Sequence, residues 1–454
     1  MGGKRMKKKI LLLLIGIVMM GIVLIGCSDD NSSGNANDND GDGVTLKFYT
    51  HGNEATYNWD ETVAAFEEEH PDINVDVNIL SESGDTMEAK QKLDLASSSD
   101  EDMDVLMFSN PADYAEYVSI DKLEPLEEYI EDEGYDMEEE YKVDTMVDDE
   151  FYALPGKFNP WYVIMNKDHL DEANLDVPED WTWDEFQDYA KQLTTDDHYG
   201  TYFHGPQNGS WMEYLKLHLA SKPKDTDLLK DDGSSNLDDP AFRETLELRY
   251  EMEKEDESAT PYTEIMSSEL DYRQQLFQEN TSTLLIGSWM TTELGGTDDF
   301  PLDFDIAVAP YPKNDEDDEG GYTPVTTDYL SIASNSKHKE EAYEFIRWYT
   351  SEGQLVQGTN VPSWNGIDDD ELNEIIDNIL ENTNNPEKVD KESLVNVMSN
   401  SQASELTSPS SYISKAEDAI SDEYEKFIYG DQDIDEMIEN ASEKIEDIKA
   451  ENED

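Results

Sequence analysis

Residues 151–186 read FYALPGKFNPWYVIMNKDHLDEANLDVPEDWTWDEF. Residues 151–154 and 161–165 are short apolar runs rich in strand formers, and Pro155-Gly156 and Pro160 punctuate the chain between them. After Asn166-Lys167 the spacing predicts a short helix, a loop around Pro178 and a helix over 183–193. Thr182 with Glu185 three residues on makes a capping box for that last helix. Strands passing into helices through tight turns are the local mark of an α/β fold.

Upstream the same alternation continues. Residues 44–50 read as a strand, 57–69 as a helix stopped by Pro71, and 73–80 as a second strand. A helix over 87–96, a buried strand over 104–108 and a helix over 111–118 follow. This pattern predicts a mostly parallel sheet covered by helices, with ligands bound at the carboxyl ends of its strands. Residues 123–150 are strongly acidic, with apolar Leu126, Ile130, Met137 and Val143, and read as helical and surface-lying. Downstream, 315–321 reads as an exposed acidic loop, 339–349 as a helix, and 368–390 as a helix and polar loop.

Lys4, Arg5, Lys7, Lys8 and Lys9 form a basic head, and residues 10–25 are an apolar run closed by Gly26-Cys27. Sixteen residues fall short of the roughly 20 that span a bilayer, and the flanks have signal-peptide layout. Leu24-Ile25-Gly26-Cys27 resembles the lipobox of bacterial lipoproteins. That resemblance implies a diacylglyceryl group on Cys27, which becomes the mature N-terminus on the extracytoplasmic face of the cell membrane. A short membrane anchor with an incidental cysteine is the rival reading. Residues 28–43, nearly all Ser, Asn, Asp and Gly, read as a flexible tether.

The 454 residues carry 109 acids against 31 bases, five of which lie in the basic head, and 37% of residues are hydrophobic. The length predicts two or more domains, and the apolar content suffices for packed cores beneath an acidic surface. Acid spread along the whole chain fits a saline habitat, where about 1 M salt shortens the Debye length to roughly 3 Å. Nucleic acid is excluded as a partner, because it requires a basic face. The single cysteine, Cys27, excludes internal disulfides, thiol catalysis and cysteine metal sites.

Stretch 151–186, with its Met165-Asn166-Lys167 triplet and Thr182-Trp183-Asp184-Glu185-Phe186, resembles the family 1 extracellular solute-binding proteins. These are sugar-binding subunits of bacterial ABC importers related to maltose-binding protein. Residues 283–289, ending in Gly287-Ser288-Trp289, and residues 434–448, after Gly430, resemble that family's Gly-small-Trp strand and closing helix. The resemblance covers residues 44–449. It implies a two-lobed periplasmic-binding-protein-like fold, each lobe a mostly parallel sheet flanked by helices, with the ligand cleft at the hinge. The expected layout is signal 1–27, tether 28–43, lobe one 44–157 plus 328–364, and lobe two 158–327 plus 365–454. The implied partners are a sugar and the membrane permease subunits of an importer, the receptor acting as a monomer without cofactor or metal.

Sugars need amides and carboxylates for their hydroxyls and aromatic rings for their C–H faces. Among the eight tryptophans, Trp59, Trp181, Trp183 and Trp348 sit in or beside helical patterns and are assigned to packing. The resemblance points to Trp289 for the cleft, and to Trp211 after a lobe-two loop; Trp161 and Trp364 lie at expected crossings. From lobe one, the loop His51-Gly52-Asn53-Glu54 offers His51, Asn53 and Glu54, with a helix N-cap as the rival reading for Asn53. Asn110 and Asp113 follow another strand, and Asp328 sits where the chain returns to lobe one.

The sequence holds no nucleophile elbow, phosphate-binding glycine loop or His-Glu-x-x-His motif, so no enzyme is expected. Acids are numerous enough that paired glycosidase carboxylates remain an alternative reading. A second alternative is a cationic osmolyte held by aromatics and carboxylates.

Overall fold

Ten strands build two sheets: β1 (Val44–Thr50), β2 (Ile73–Ile79), β3 (Val105–Phe108), β4 (Ala153–Pro155), β5 (Asn159–Asn166), β6 (Tyr199–Tyr202), β7 (Thr281–Gly287), β8 (Ile306–Pro310), β9 (Val325–Thr326) and β10 (Tyr329–Ile332). The structure is a computed structural model that describes residues 43–452 except 100, 148–149, 209, 231 and 405–411. The expected signal, Cys27 and all of the tether before Gly43 lie outside the described residues.

The first sheet has strand order β2-β1-β3-β10-β4. β1 is parallel to β2 and β3, as helical crossovers demand, while β10 enters antiparallel to β3 and β4. Its core includes Phe48 packed edge-on against Trp59 and Phe345. The second sheet has order β8-β5-β7-β6, with β9 added to β5; β5 runs antiparallel to β7, β8 and β9 and only β6 and β7 are parallel, so this sheet is mixed rather than mostly parallel as expected. All eight residues of β5 and all seven of β7 are buried, so neither strand alternates between a core face and a solvent face, although Asn159 and Asn166 of β5 and Thr281 to Thr283 of β7 are polar. The helices Ile413–Tyr429 and Ile434–Asn452 pack Tyr424 and Ile445 into one of this sheet's cores.

Among the described residues, three chain passages join the lobes. β4 runs directly into β5, β9 into β10, and the segment after the helix Gln354–Gln357 forms the third. The third is tied to the first by Phe158 N donating to Val361 O (2.7 Å) and Ser363 N to Gly156 O (2.9 Å).

Trp59, Trp181, Trp183 and Trp348 are all buried in cores, and both hydrogen bonds of the Thr182–Glu185 capping box are present. Elsewhere the expectations need correction. Residues 123–150 are no surface helix: Leu126, Ile130, Met137 and Val143 are all buried. Among the described residues of this stretch only Glu127–Glu133 and Met137–Glu140 are helical, because Gly134 ends the first at φ 77° and Asp136 caps the second. The helix expected over 57–69 is two helices, Glu54–Tyr57 and Trp59–Glu69, broken at Asn58 with φ 46°. The strand expected over 151–154 is divided, because Glu150–Phe151 pairs with Met146–Val147 while β4 joins the first sheet.

Candidate functional site

A cleft of about 1070 Å³ opens between the lobes. Lobe one contributes Ser109 to Asp113 at the carboxyl end of β3, together with Met87 and Lys90. Pro324 to Thr327 form its hinge side. Lobe two contributes Trp211, Tyr262 and a row of side chains from the helix Ile413–Tyr429. A smaller interlobe cavity of about 140 Å³ is lined by Tyr57, Lys157, Asn159, Trp289 and Asn360, among others. The paired strands β5 and β9 contribute to both cavities, Thr326 of the larger lying opposite Asn159 of the smaller.

Trp211 lies 5.8 Å from Tyr262, ring to ring, at 36°, and its indole N–H donates to Ser421 Oγ at 2.8 Å. Beneath this wall the fully buried Arg249 and Glu253 pair at 2.7 Å. The Arg249 guanidinium lies 5.8 Å from the Trp211 ring, and Glu253 accepts the Tyr262 backbone N–H at 2.9 Å. One buried ion pair therefore fixes both cleft aromatics from behind. Across the cleft, Asn110 caps the helix Pro111–Ser119, accepting from Asp113 N (2.9 Å) and donating to Asp113 Oδ2 (2.6 Å). Burial raises the Asp113 carboxyl above its ordinary range.

Glu417, Asp418, Ser421, Asp422 and Glu425 all face the cleft from one helix, since positions four apart share a helical face. Burial pushes the Glu417 carboxyl up to about 7. The three lysines of the cleft are already engaged. Lys216 pairs with Asp227 (2.8 Å) and Glu213 (3.2 Å), Lys90 with Asp94 (2.8 Å), and Lys230 with Asp238 (2.9 Å).

Three of the ten expected contact residues, Asn110, Asp113 and Trp211, are gathered in the large cleft. Trp289 lines the smaller cavity. It folds back over Gly287, where an added Cβ would stand 1.9 Å from its ring, which gives the Gly-Ser-Trp sequence its physical reason. Trp161 lies beneath it, wholly buried in the lobe-two core and edge-on to Trp289 at 5.5 Å. Trp364 packs on the lobe-one core and donates to Glu140 at 2.9 Å. Asn53 is an N-cap, accepting from Thr56 N at 3.0 Å, and the exposed Glu54 accepts from Asp60 N at 3.2 Å. Helix ends thus occupy both side chains, and neither residue borders the two cavities just described.

His51 and Asp328 meet in a buried hub at the hinge. Asp328 accepts from Lys157 Nζ at 3.0 Å and from Tyr57 OH at 3.0 Å, and lies 3.4 Å from His51 Nε2. Gln357, the last residue of the helix that leads into the third passage, donates to Tyr57 O at 2.7 Å. Gly52 makes room for this ring, since a Cβ there would lie 2.6 Å from Tyr57 Cδ2. Burial pulls His51 down to about 4, so the imidazole is neutral at pH 7.

Sequence reasoning missed Tyr57, Lys157 and Tyr262, and the acidic face of the helix Ile413–Tyr429. Tyr57 was hidden by the broken helix. The acidic face carried a readable signal in its four-residue spacing, lost against 109 acids.

Two lobes hinged by three passages around a cleft define a solute-binding protein. The chain belongs to the bacterial extracellular solute-binding protein family, which matches residues 51–355. Solved structures share the fold. A sugar transporter from Rhizobium etli, in an open conformation, is 20% identical with a TM-score of 0.71, covering 89% of this chain and 99% of its own. The sugar-binding protein MalE from Xanthomonas citri is 20% identical with a TM-score of 0.69, over 90% and 98%. UgpB from Mycobacterium tuberculosis, in complex with glycerophosphocholine, is 15% identical with a TM-score of 0.68, over 91% and 99%. The family is one of solute-binding proteins rather than enzymes. Among the described residues no helix is long and apolar enough to cross a membrane.

Proposed function

We propose that this chain is a lipid-anchored, monomeric receptor that seats a carbohydrate in the large cleft, closes its lobes on it and delivers it to the permease subunits of an ABC importer. The observation that carries this reading is the interlobe cleft of about 1070 Å³, in which Asn110 and Asp113 of lobe one face the edge of Trp211 and the polar row Glu417, Asp418, Ser421, Asp422 and Glu425 of lobe two. Carboxylates, amides and hydroxyls on both sides take sugar hydroxyls, and the exposed edge of Trp211 supplies an apolar contact for a C–H face. Closure is a hinge motion, which the three passages permit. Trp289 in the smaller cavity is the second aromatic assigned to ligand contact, reached as the lobes approach.

The anchor rests on the basic head, the apolar run and Leu24-Ile25-Gly26-Cys27. Two acyl chains on Cys27 make a stable attachment, since each buried methylene adds about 0.8 kcal/mol. Fatty-acid labelling of Cys27→Ser tests it: labelling should vanish, and labelling equal to the parent's contradicts the anchor. A thermal-shift screen over sugars at high salt tests the ligand class, because a ligand at 100 times its dissociation constant adds about 2.7 kcal/mol. A second reading, an organic cation in the same cleft, is supported by the acidic helix face and by the glycerophosphocholine bound to the structural neighbour UgpB.

A further inference from the structure

The smaller interlobe cavity differs in charge from the large cleft. Among the described residues no carboxylate lines it, and Lys157 is the only charged residue on its wall, although 109 of the 454 residues are acids. Lys157 is already balanced, since Asp328 lies 3.0 Å from its Nζ. The rest of the wall is amide, hydroxyl and apolar. Asn159 Oδ1 accepts from Ser288 Oγ at 3.3 Å, which leaves its N–H groups to donate. Asn360 Nδ2 donates to Thr359 Oγ1 at 3.1 Å, which leaves its carbonyl oxygen to accept. Lys157 spends one N–H on Tyr57 OH at 2.7 Å and one on Asp328, and its third has no partner among the described residues. Trp289 supplies the apolar surface, because it is partly exposed where Trp211 and Tyr262 are buried.

A cation entering this cavity meets an ammonium and no carboxylate, and an anion competes with Asp328 for one shared charge, so either loses water at a cost. A neutral unit bearing hydroxyls satisfies the donors and acceptors alike. The volume of about 140 Å³ holds one such unit, since a pocket for a drug-sized molecule needs roughly 300 Å³ or more. The cavity is also built across the hinge. Lys157 stands on the first passage and Asn360 on the third, and Thr327 of the second donates to Lys157 O at 2.6 Å.

We propose that Lys157 contacts the solute, giving its third N–H to a neutral, hydroxyl-bearing sugar unit that lies on Trp289 in the smaller cavity, and so ties that unit to the clamp between the passages. This rests on the receptor reading and adds to it a contact residue and a selection for uncharged solute. A unit bonded to Lys157 and Asn360 bridges two passages directly, so occupancy and closure favour each other.

The test is titration calorimetry of the whole folded protein at one fixed salt concentration, with trisaccharides of glucose, glucosamine and glucuronic acid in both anomeric linkages. The expected result is a glucose trisaccharide bound roughly tenfold or more tighter than both charged counterparts. Two variants locate the contact. Lys157→Met/Asp328→Asn removes the ammonium together with the charge it balances, so no buried charge is left unpaired. Asn360→Ala alters the opposite wall without touching the clamp. Each should weaken the glucose trisaccharide by roughly fivefold or more, as loss of a hydrogen bond implies, in protein whose melting curve without sugar shows it folded. A purely structural Lys157 would move the melting temperature and leave this affinity alone. Parent-level affinity in either folded variant overturns the assignment and leaves the receptor reading standing, with the solute confined to the large cleft. A charged trisaccharide bound as tightly as the neutral one overturns the selection and also leaves the receptor reading standing. Binding of no trisaccharide overturns the assignment and the carbohydrate reading together.

Discussion

Lys157 Nζ lies 3.0 Å from Asp328 Oδ1, and the two residues stand on different passages between the lobes. Asp328 is buried to 1% exposure, and Tyr57 adds a hydroxyl from lobe one. The first and second passages are therefore clamped at one point, about which hinge motion must pivot. Removing one partner from such a pair leaves a buried charge uncompensated, at a cost of ~3 kcal/mol or more. Lys157→Met should lower the unfolding free energy read from urea titration by that amount. Adding Asp328→Asn should recover part of it, and a double-mutant cycle with no coupling would contradict the clamp.

Stability should depend on pH with two opposed signs. Burial lowers His51 to about 4 and His218 to about 3, while the unfolded chain takes up these protons near 6.5. Their contribution is complete above pH 6.5 and is lost as pH falls through the window towards 4. Glu417 works in reverse, because its folded value of about 7 exceeds the ordinary 4.5, so its cost grows as pH rises from 4.5 to 7. His51→Gln should flatten the acid limb of the urea midpoint. Glu417→Gln should be more stable than the parent at pH 8 and equal to it at pH 4; equal stability at both would contradict the assignment.

The acidic surface predicts salt-dependent folding, and we propose that the chain is adapted to a saline habitat. With a net charge of −78, unscreened repulsion opposes the compact state, and molar salt relieves it. Circular dichroism melts should move upward from low to molar salt. A flat or falling midpoint contradicts this.

Packing and binding tryptophans should separate cleanly. Trp183 is 1% exposed and donates to Ser221 Oγ at 2.9 Å, so Trp183→Ala should cost about 3–5 kcal/mol. The folded fraction should keep the parent's affinity. Lost affinity at unchanged stability would place Trp183 in the site.

The two-sheet architecture was legible because it rests on local signals. The apolar run of β5, the Thr182–Glu185 box and the Gly287-Ser288-Trp289 turn each act over a few residues. The site was only partly legible, because contacts across the cleft join distant segments. Asn110, Asp113 and Trp211 follow strands or loops whose direction the pattern reveals. Nothing in the sequence shows that Asp328 turns inward to Lys157, or that Asn53 and Glu54 serve helix ends instead of the large cleft. Residues 123–150 misled for a related reason: their acids advertise a surface, while the apolar residues between them cover a sheet.

The most direct test is a calorimetric titration of the parent, Trp211→Ala and Trp289→Ala with the solute found by thermal shift. The large-cleft account predicts one site per chain and at least tenfold weaker binding in Trp211→Ala, which removes the apolar edge from the cleft wall and the N–H bond that holds Ser421 there. Parent-level affinity in a folded Trp211→Ala, with binding lost only in Trp289→Ala, would contradict it and move the solute to the smaller cavity.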